Sequence, residues 1–208
     1  FKSTDHGATF TNVYNVGNNS SRVMVEVSNT NPLKAYALMQ GATNEPVRIA
    51  KTTDGGATWI ATNVAGSGIT LPNPVDTSQP DNDFTRGQSF YDLVIETDPD
   101  NDEHVYVGGV DSYKSTDGGA TWTQYTKWSN NNVMGSTNIS LVHADQHALV
   151  FNPKNTSQFV MGNDGGIFFA PDKSNLASTT AIGMRNKRFN VTQFYHGTLN
   201  PSSTFANE

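Results

Sequence analysis

The sequence predicts an all-β fold of the β-propeller kind, and three observations carry that prediction. The octapeptide STDGGATW at residues 115–122 returns as TTDGGATW at 52–59 and as STDHGATF at 3–10. Its copies lie 49 residues apart from Ser3 to Thr52 and 63 from Thr52 to Ser115, near the roughly 40 to 50 residues that a blade of four short strands requires. The composition, with 18 Gly, 9 Pro and 15% charged residues, suits many short strands joined by turns.

The first full unit reads VMVEV, the NTNP turn, AYALMQ, then VRIAK and its octapeptide. In the second, a strand is predicted at Phe90–Ile95, a turn at DPDND and a strand at His104–Val107. A turn at Gly108–Asp111, a strand at Ser112–Ser115, the octapeptide and an outer strand at Thr121–Thr126 complete it. The third unit runs QHALVFNP, QFVMGNDGG, IFFAPDKS and FNVTQFY, with its octapeptide reduced to PDKSN. The blades thus span about residues 17–62, 89–126 and 143–192, flanked by strands at 8–16 and 193–199, all within one propeller domain. Joining the ends would give a blade without its two middle strands, so the expectation is a partial ring: about three full blades plus strands of two others.

Charge and composition exclude several functions. The net charge is -6 and the 13 Lys and Arg residues are scattered singly, so no basic stripe tracks a phosphate backbone and nucleic acid is not an expected partner. With no Cys there is neither a disulfide framework nor a thiolate metal site. No apolar run reaches the roughly 18 residues of a membrane helix. The opening FKSTDHG falls inside a repeat, so any targeting segment is expected outside this chain.

The pattern S/T-x-D-x-G-x-x-W/F begins at Ser3, Thr52 and Ser115. The carboxylate of Asp5, Asp54 or Asp117 accepts backbone N–H groups across a tight turn, and Gly7, Gly56 or Gly119 supplies a backbone conformation that a Cβ hinders. Phe10, Trp59 and Trp122 begin the outer strand and pack between blades. One active site does not need the same acid on three blades, so these residues are structural.

Candidate chemistry falls on the opposite face. Two insertions, at 66–88 and 127–145, join an outer strand to the next inner one and crowd the face where long loops on a rigid scaffold carry function. In VHADQHALVF, His143, Asp145 and His147 alternate, which on an extended strand projects them to one side. Asn163 and Asp164 in the GNDGG turn and Asp111 in the preceding blade share that face. Two readings stand: a divalent cation or acid–base site, with Asp145 and Asp164 as catalytic candidates, or a buried polar network that locks the blades. The acidic stretches DTSQPDNDF and TDPDNDEH invite calcium but lack the EF-hand spacing, and DPDND reads equally well as a turn. Tyr91, Trp128, Phe194 and Tyr195 are candidate stacking platforms for sugars, Trp128 foremost because it lies in a polar insertion.

The octapeptide is the signature of Asp-box (BNR) propellers. With YDLVIETDPDNDEHVYVGG, VHADQHALVFNP, GNDGGIFF and NVTQFYHGTLNP, nearly the whole chain resembles secreted bacterial Asp-box proteins grouped with sortilin-like (VPS10-type) and family 74 glycoside hydrolase-like propellers. The resemblance implies a seven- or eight-bladed ring completed by other blades of the same polypeptide, and an extracellular or cell-surface location. It also implies two catalytic aspartates on Asp-x-Gly-Gly turns in the hydrolases, which invert configuration. Here Asn163 occupies the Asp position of that turn and Asp164 is displaced by one residue. Sialidase chemistry is not expected, because Arg22, Arg48, Arg86, Arg185 and Arg188 share no blade position. The expectation is a binding or interaction module with no obligate cofactor, its long-loop face taking a polysaccharide or a protein. A polysaccharide-cleaving enzyme of the family 74 type is the competing class.

Overall fold

The computed structural model describes residues 1–15, 21–41, 47–62, 83–130, 134 and 137–187. They form three four-stranded antiparallel sheets in which spatial order follows chain order. The first holds β1 (Val23–Val27), β2 (Ala35–Met39), β3 (Arg48–Thr52) and β4 (Ile60–Ala61). In the second are β5 (Val94–Asp98), β6 (Asn101–Gly108), β7 (Ser112–Ser115) and β8 (Thr123–Gln124). The chain then passes through β9 (Thr126–Lys127), which pairs in parallel with β10 (Ser140–Leu141). The third sheet is β11 (Gln146–Phe151), β12 (Phe159–Asn163), β13 (Gly166–Ala170) and β14 (Gly183–Met184). Inner strand β5 packs beside both β1 and β11, so the sheets stand side by side as consecutive blades of a propeller.

Period-two alternation builds the two seams between blades. Ile95, Val105, Val107, Tyr113 and Trp122 turn from the second blade toward Tyr36, Leu38, Val47 and Ile49 of the first. Val94 and Tyr106 turn the other way, onto Leu149, Phe151, Phe159 and Met161 of the third. The fully buried Tyr106 ring lies edge-on to Phe151 at 5.3 Å and to Tyr125 at 5.9 Å, and burying such a side chain contributes about 2 to 3 kcal/mol. All five residues of β2 are buried, as expected of a strand covered on both faces. At the outer flanks the alternation faces solvent. Val23, Val25 and Val27 are exposed on β1, and Val150, Val160 and Ile167 are exposed on the third blade.

The three octapeptides adopt one geometry. Ser3, Thr52 and Ser115 each donate a hydroxyl hydrogen bond of 2.8 Å to the following Asp. The same oxygens accept the N–H of Gly7, Gly56 and Gly119 at 2.7, 2.9 and 2.8 Å. Asp5, Asp54 and Asp117 accept the backbone N–H of Thr9, Thr58 and Thr121 at 2.9, 2.9 and 2.8 Å, and the Thr hydroxyls at 2.6 Å. Position four is also left-handed, with φ of 58° at His6, 69° at Gly55 and 67° at Gly118. Gly118 has a further reason: a Cβ there would lie 2.1 Å from Glu103 Oε2. Trp122 is buried in the seam between the first two blades and Trp59 packs against Tyr14, whereas Phe10 is exposed and seals no seam. No blade among the described residues lies beyond Phe10 to cover it.

Several expected elements differ. The inner strand of the second blade starts at Val94, not Phe90, because Tyr91 and Asp92 donate their N–H groups back to Gln88 O and form a turn. Arg22 of the first blade holds that turn through the carbonyls of Phe90 at 3.1 Å and Tyr91. Strand β6 begins at Asn101 rather than His104, since Asp98 accepts the N–H of Asp100 at 2.9 Å and tightens DPDND. Only Thr123 and Gln124 of the expected Thr121–Thr126 strand pair with β7 before the chain leaves toward β10. The fourth strand of the third sheet is β14, the expected FNVTQFY strand lies outside the described residues, and PDKSN keeps a reduced turn in which Asp172 accepts the N–H and hydroxyl of Ser174. Phe194, Tyr195, Arg188, the segment 193–199 and residues 66–82 of the first insertion lie outside the described residues.

Candidate functional site

The β6–β7 turn, the loop 83–92, residues 126–130 and 137–147, and the β12–β13 turn gather on the face opposite the octapeptides. Loop 83–92 is fixed by its own chemistry: Asp83 accepts the N–H groups of Thr85 at 3.0 Å and Gly87 at 2.9 Å. Gly165 approaches so closely that a Cβ would stand 2.4 Å from His143 Cβ, so only glycine lets the 143–147 segment rest on the β12–β13 turn.

His143, Asp145 and His147 do not lie together on a strand. Strand β11 starts at Gln146, Asp145 has φ 66°, and His147 sits at a bulge where the pairing passes from Gln146–Asn163 to Ala148–Gly162. The bulge turns His147 outward, where its Nε2 lies 2.8 Å from Asp164 Oδ1. Tyr91 donates its hydroxyl to the same carboxylate at 3.1 and 3.2 Å, and its ring stands 4.8 Å from the His147 ring in an edge-on contact. Tyr91 is 42% exposed, so this cluster faces solvent.

Beneath it lies a second group of acids. Asp92 is fully buried and neither carboxylate oxygen has a hydrogen-bond partner among the described residues, and Oδ1 of Asp145 is equally bare there. Burial, reinforced by the charge of Asp145, pushes the Asp92 carboxyl up to about 8. Asp145 is also raised, by burial first and then by Asp164, while His143, His147 and the neighbouring Asp92 carboxyl pull it back.

Other expected site residues bond within and between the blades. Asn163 spends Oδ1 on the N–H of Gly165 at 3.0 Å and Nδ2 on Gln146 Oε1 at 3.2 Å. Asp111 is buried against Arg86 at 3.2 Å and accepts the N–H of Trp128 at 3.1 Å; burial lifts its carboxyl to about 6 although Arg86 works against the rise. Trp128 is thereby held on the face and is 40% exposed. The acids of TDPDNDEH are engaged by lysines: Asp98 and Asp100 by Lys173 at 2.5 and 2.6 Å, Asp102 by Lys34 at 3.0 Å, and Glu103 also by Lys34. Among the described residues no three His, Asp or Glu side chains are arranged to hold a metal ion.

Sequence reasoning missed Asp92 and Gln146. Gln146 is fully buried, donates Nε2 to His143 O at 2.6 Å and its N–H to Gly109 O at 2.9 Å, and so pins the 143–147 segment to the second blade. A signal for Asp92 was present, since a lone acid before the apolar run LVI reads as a carboxyl carried into the core.

No family model matches the sequence, and no curated protein matches it. Among solved structures it is similar to a glycoside hydrolase family 74 enzyme from Niastella koreensis, at 19% identity and TM-score 0.45 over 74% of this chain and 21% of that one. It is also similar to a family 74 xyloglucanase from Xanthomonas campestris, at 15% identity and TM-score 0.46 over 74% of this chain and 22% of that one. YCF48 bound to D1 peptide matches at 14% identity and TM-score 0.30, over 77% of this chain and 52% of that one. The chain therefore spans 21% and 22% of the two hydrolases. What makes it a propeller arc is its own strand order and inter-blade packing.

Proposed function

We propose that this chain is an arc of a secreted or cell-surface Asp-box β-propeller, of the sortilin-like kind, that works as a binding module. Its ligand surface is the loop face, and the single observation supporting it is the exposed Tyr91, His147 and Asp164 cluster between the second and third blades. The cluster is organised before any ligand arrives, because Arg22 anchors the Tyr91 turn and Gln146 anchors the His147 segment. Exposed Phe90, Tyr91 and Trp128 offer apolar faces to sugar rings or to side chains of a protein, and Asp164 and His147 offer polar groups beside them. The exposed valines at both flanks support further blades on either side. No cofactor is required in this reading.

The test is binding to a panel of polysaccharides and extracellular proteins by the protein and its Tyr91→Ala and His147→Ala variants, each with a thermal melt. At least tenfold weaker binding with an unchanged midpoint is expected, whereas equal binding by all three proteins sinks the assignment of the face. One observation favours a second reading as a polysaccharide hydrolase: Asp145, raised by burial, lies beside Asp164. Reducing-sugar release from β-glucans that disappears in Asp164→Asn would establish it.

A further inference from the structure

We propose that Asp92 and Asp145 share a single proton, forming an acid pair that ties the second blade to the third beneath the Tyr91, His147 and Asp164 cluster. The inference deepens the ligand-face reading by adding a proton site to it. Asp92 closes the turn that carries Tyr91, while Asp145 ends the segment that Gln146 pins to Gly109, so the two carboxyls come from opposite sides of the seam.

Three buried oxygens, both of Asp92 and Oδ1 of Asp145, have no hydrogen-bond partner among the described residues. Buried polar atoms are rarely left so, and two adjacent carboxylates cannot both stay ionised out of water. A proton on Asp92 donated to Asp145 Oδ1 satisfies two of the three atoms and removes one charge. A metal ion fits less well, because no third acid or imidazole completes a ligand set among the described residues.

The groups around the pair agree with this assignment. Asp83 adds negative charge near Asp92, and Arg22 offsets part of it while bonding to the carbonyls of Phe90, Tyr91 and Leu93. Around Asp145 stand Asp164, His143 and His147, with Tyr91 bonded to Asp164. Burial and the charge of Asp145 together place the Asp92 transition at about 8. Above it the pair holds two like charges, and the seam under the ligand cluster is driven apart.

The experiment combines infrared spectroscopy with thermal melts of the full-length protein across that transition, in a Glu96→Gln background. That substitution removes the carboxyl whose value stands nearest that of Asp92, since burial and then Glu26 lift Glu96 to about 7. A protonated carboxyl band is expected at neutral pH that titrates away near the Asp92 transition and is missing from Asp92→Asn. The midpoint should fall with rising pH in the parent and stay level in Asp92→Asn, whose amide donates to Asp145 as the shared proton does. Absence of the band, or parallel pH profiles, overturns the pair. Should Asp92→Asn not fold, the band in the parent decides alone. Neither measurement uses a ligand, so failure here is distinct from failure of the binding reading.

Discussion

On the octapeptide face, Asp117 is exposed yet surrounded by donors: the Ser115 hydroxyl, the Thr121 hydroxyl and the Thr121 N–H. On the loop face, Asp92 is buried and has none among the described residues. Hydrogen bonds from Thr121 hold the Asp117 carboxyl down at about 2, while burial lifts that of Asp92 to about 8. The contrast shows what sets the ionisation of an acid in this fold. It is whether the donors are encoded within the same turn or must come from a neighbouring blade, a proton or a ligand.

The largest expected break in this comparison is Trp122→Ala. It should cost about 3 to 5 kcal/mol in denaturant melts, because it empties the seam between the first two blades. A loss below about 1 kcal/mol would show the octapeptide turn to be independent of that core. Asp117→Ala comes next, at about 1 to 2 kcal/mol, since it strips the turn of a carboxylate while leaving its donors partly wet. Acid titration sharpens the same point. Asp5 and Asp117 ionise near 3.8 in the unfolded chain and at about 2 in the fold, so their stabilisation is complete above pH 4 and lost as pH falls through that window. Melts that stay level from about pH 4 to pH 2 would contradict it. Asp92 has the opposite sign: its folded value lies above the unfolded one, so stability falls as pH rises from 3.8 to about 8. Asp164→Asn should give the smallest change in stability, within about 0.5 kcal/mol, because its partners Tyr91 and His147 remain partly in water. Under the proposed function it should nevertheless weaken ligand binding, measured by calorimetry.

Elements whose determinants are local were legible in the sequence. The S/T-x-D-x-G turn, the alternation of Val105, Tyr106 and Val107, and the four-strand order all follow from neighbours a few residues apart. Misreadings arose where a distant residue decides. Phe90 and Tyr91 look like strand residues, but Arg22, 68 positions earlier than Phe90, claims their carbonyls. Alternation of His143, Asp145 and His147 suggested one face of a strand, but the left-handed Asp145 and the bulge at His147 send them to different partners. Thr9, Thr58 and Thr121 went unread because an alanine-threonine pair after glycine carries no obvious chemistry until its hydroxyl meets the carboxylate. Strand β14 is two residues long and contains a glycine, so it had no apolar signal to offer.

The valines on the outer side of β1 and the Val150, Val160 and Ile167 patch on the third blade are unlike surfaces, one the front of a blade and the other the back. Pairing between unlike surfaces is head-to-tail and, unlike a two-fold contact, contains no geometric stop. Residues 23–184 prepared without other blades should therefore associate progressively as concentration rises, and light scattering would show a continuous increase in size rather than a plateau at a dimer.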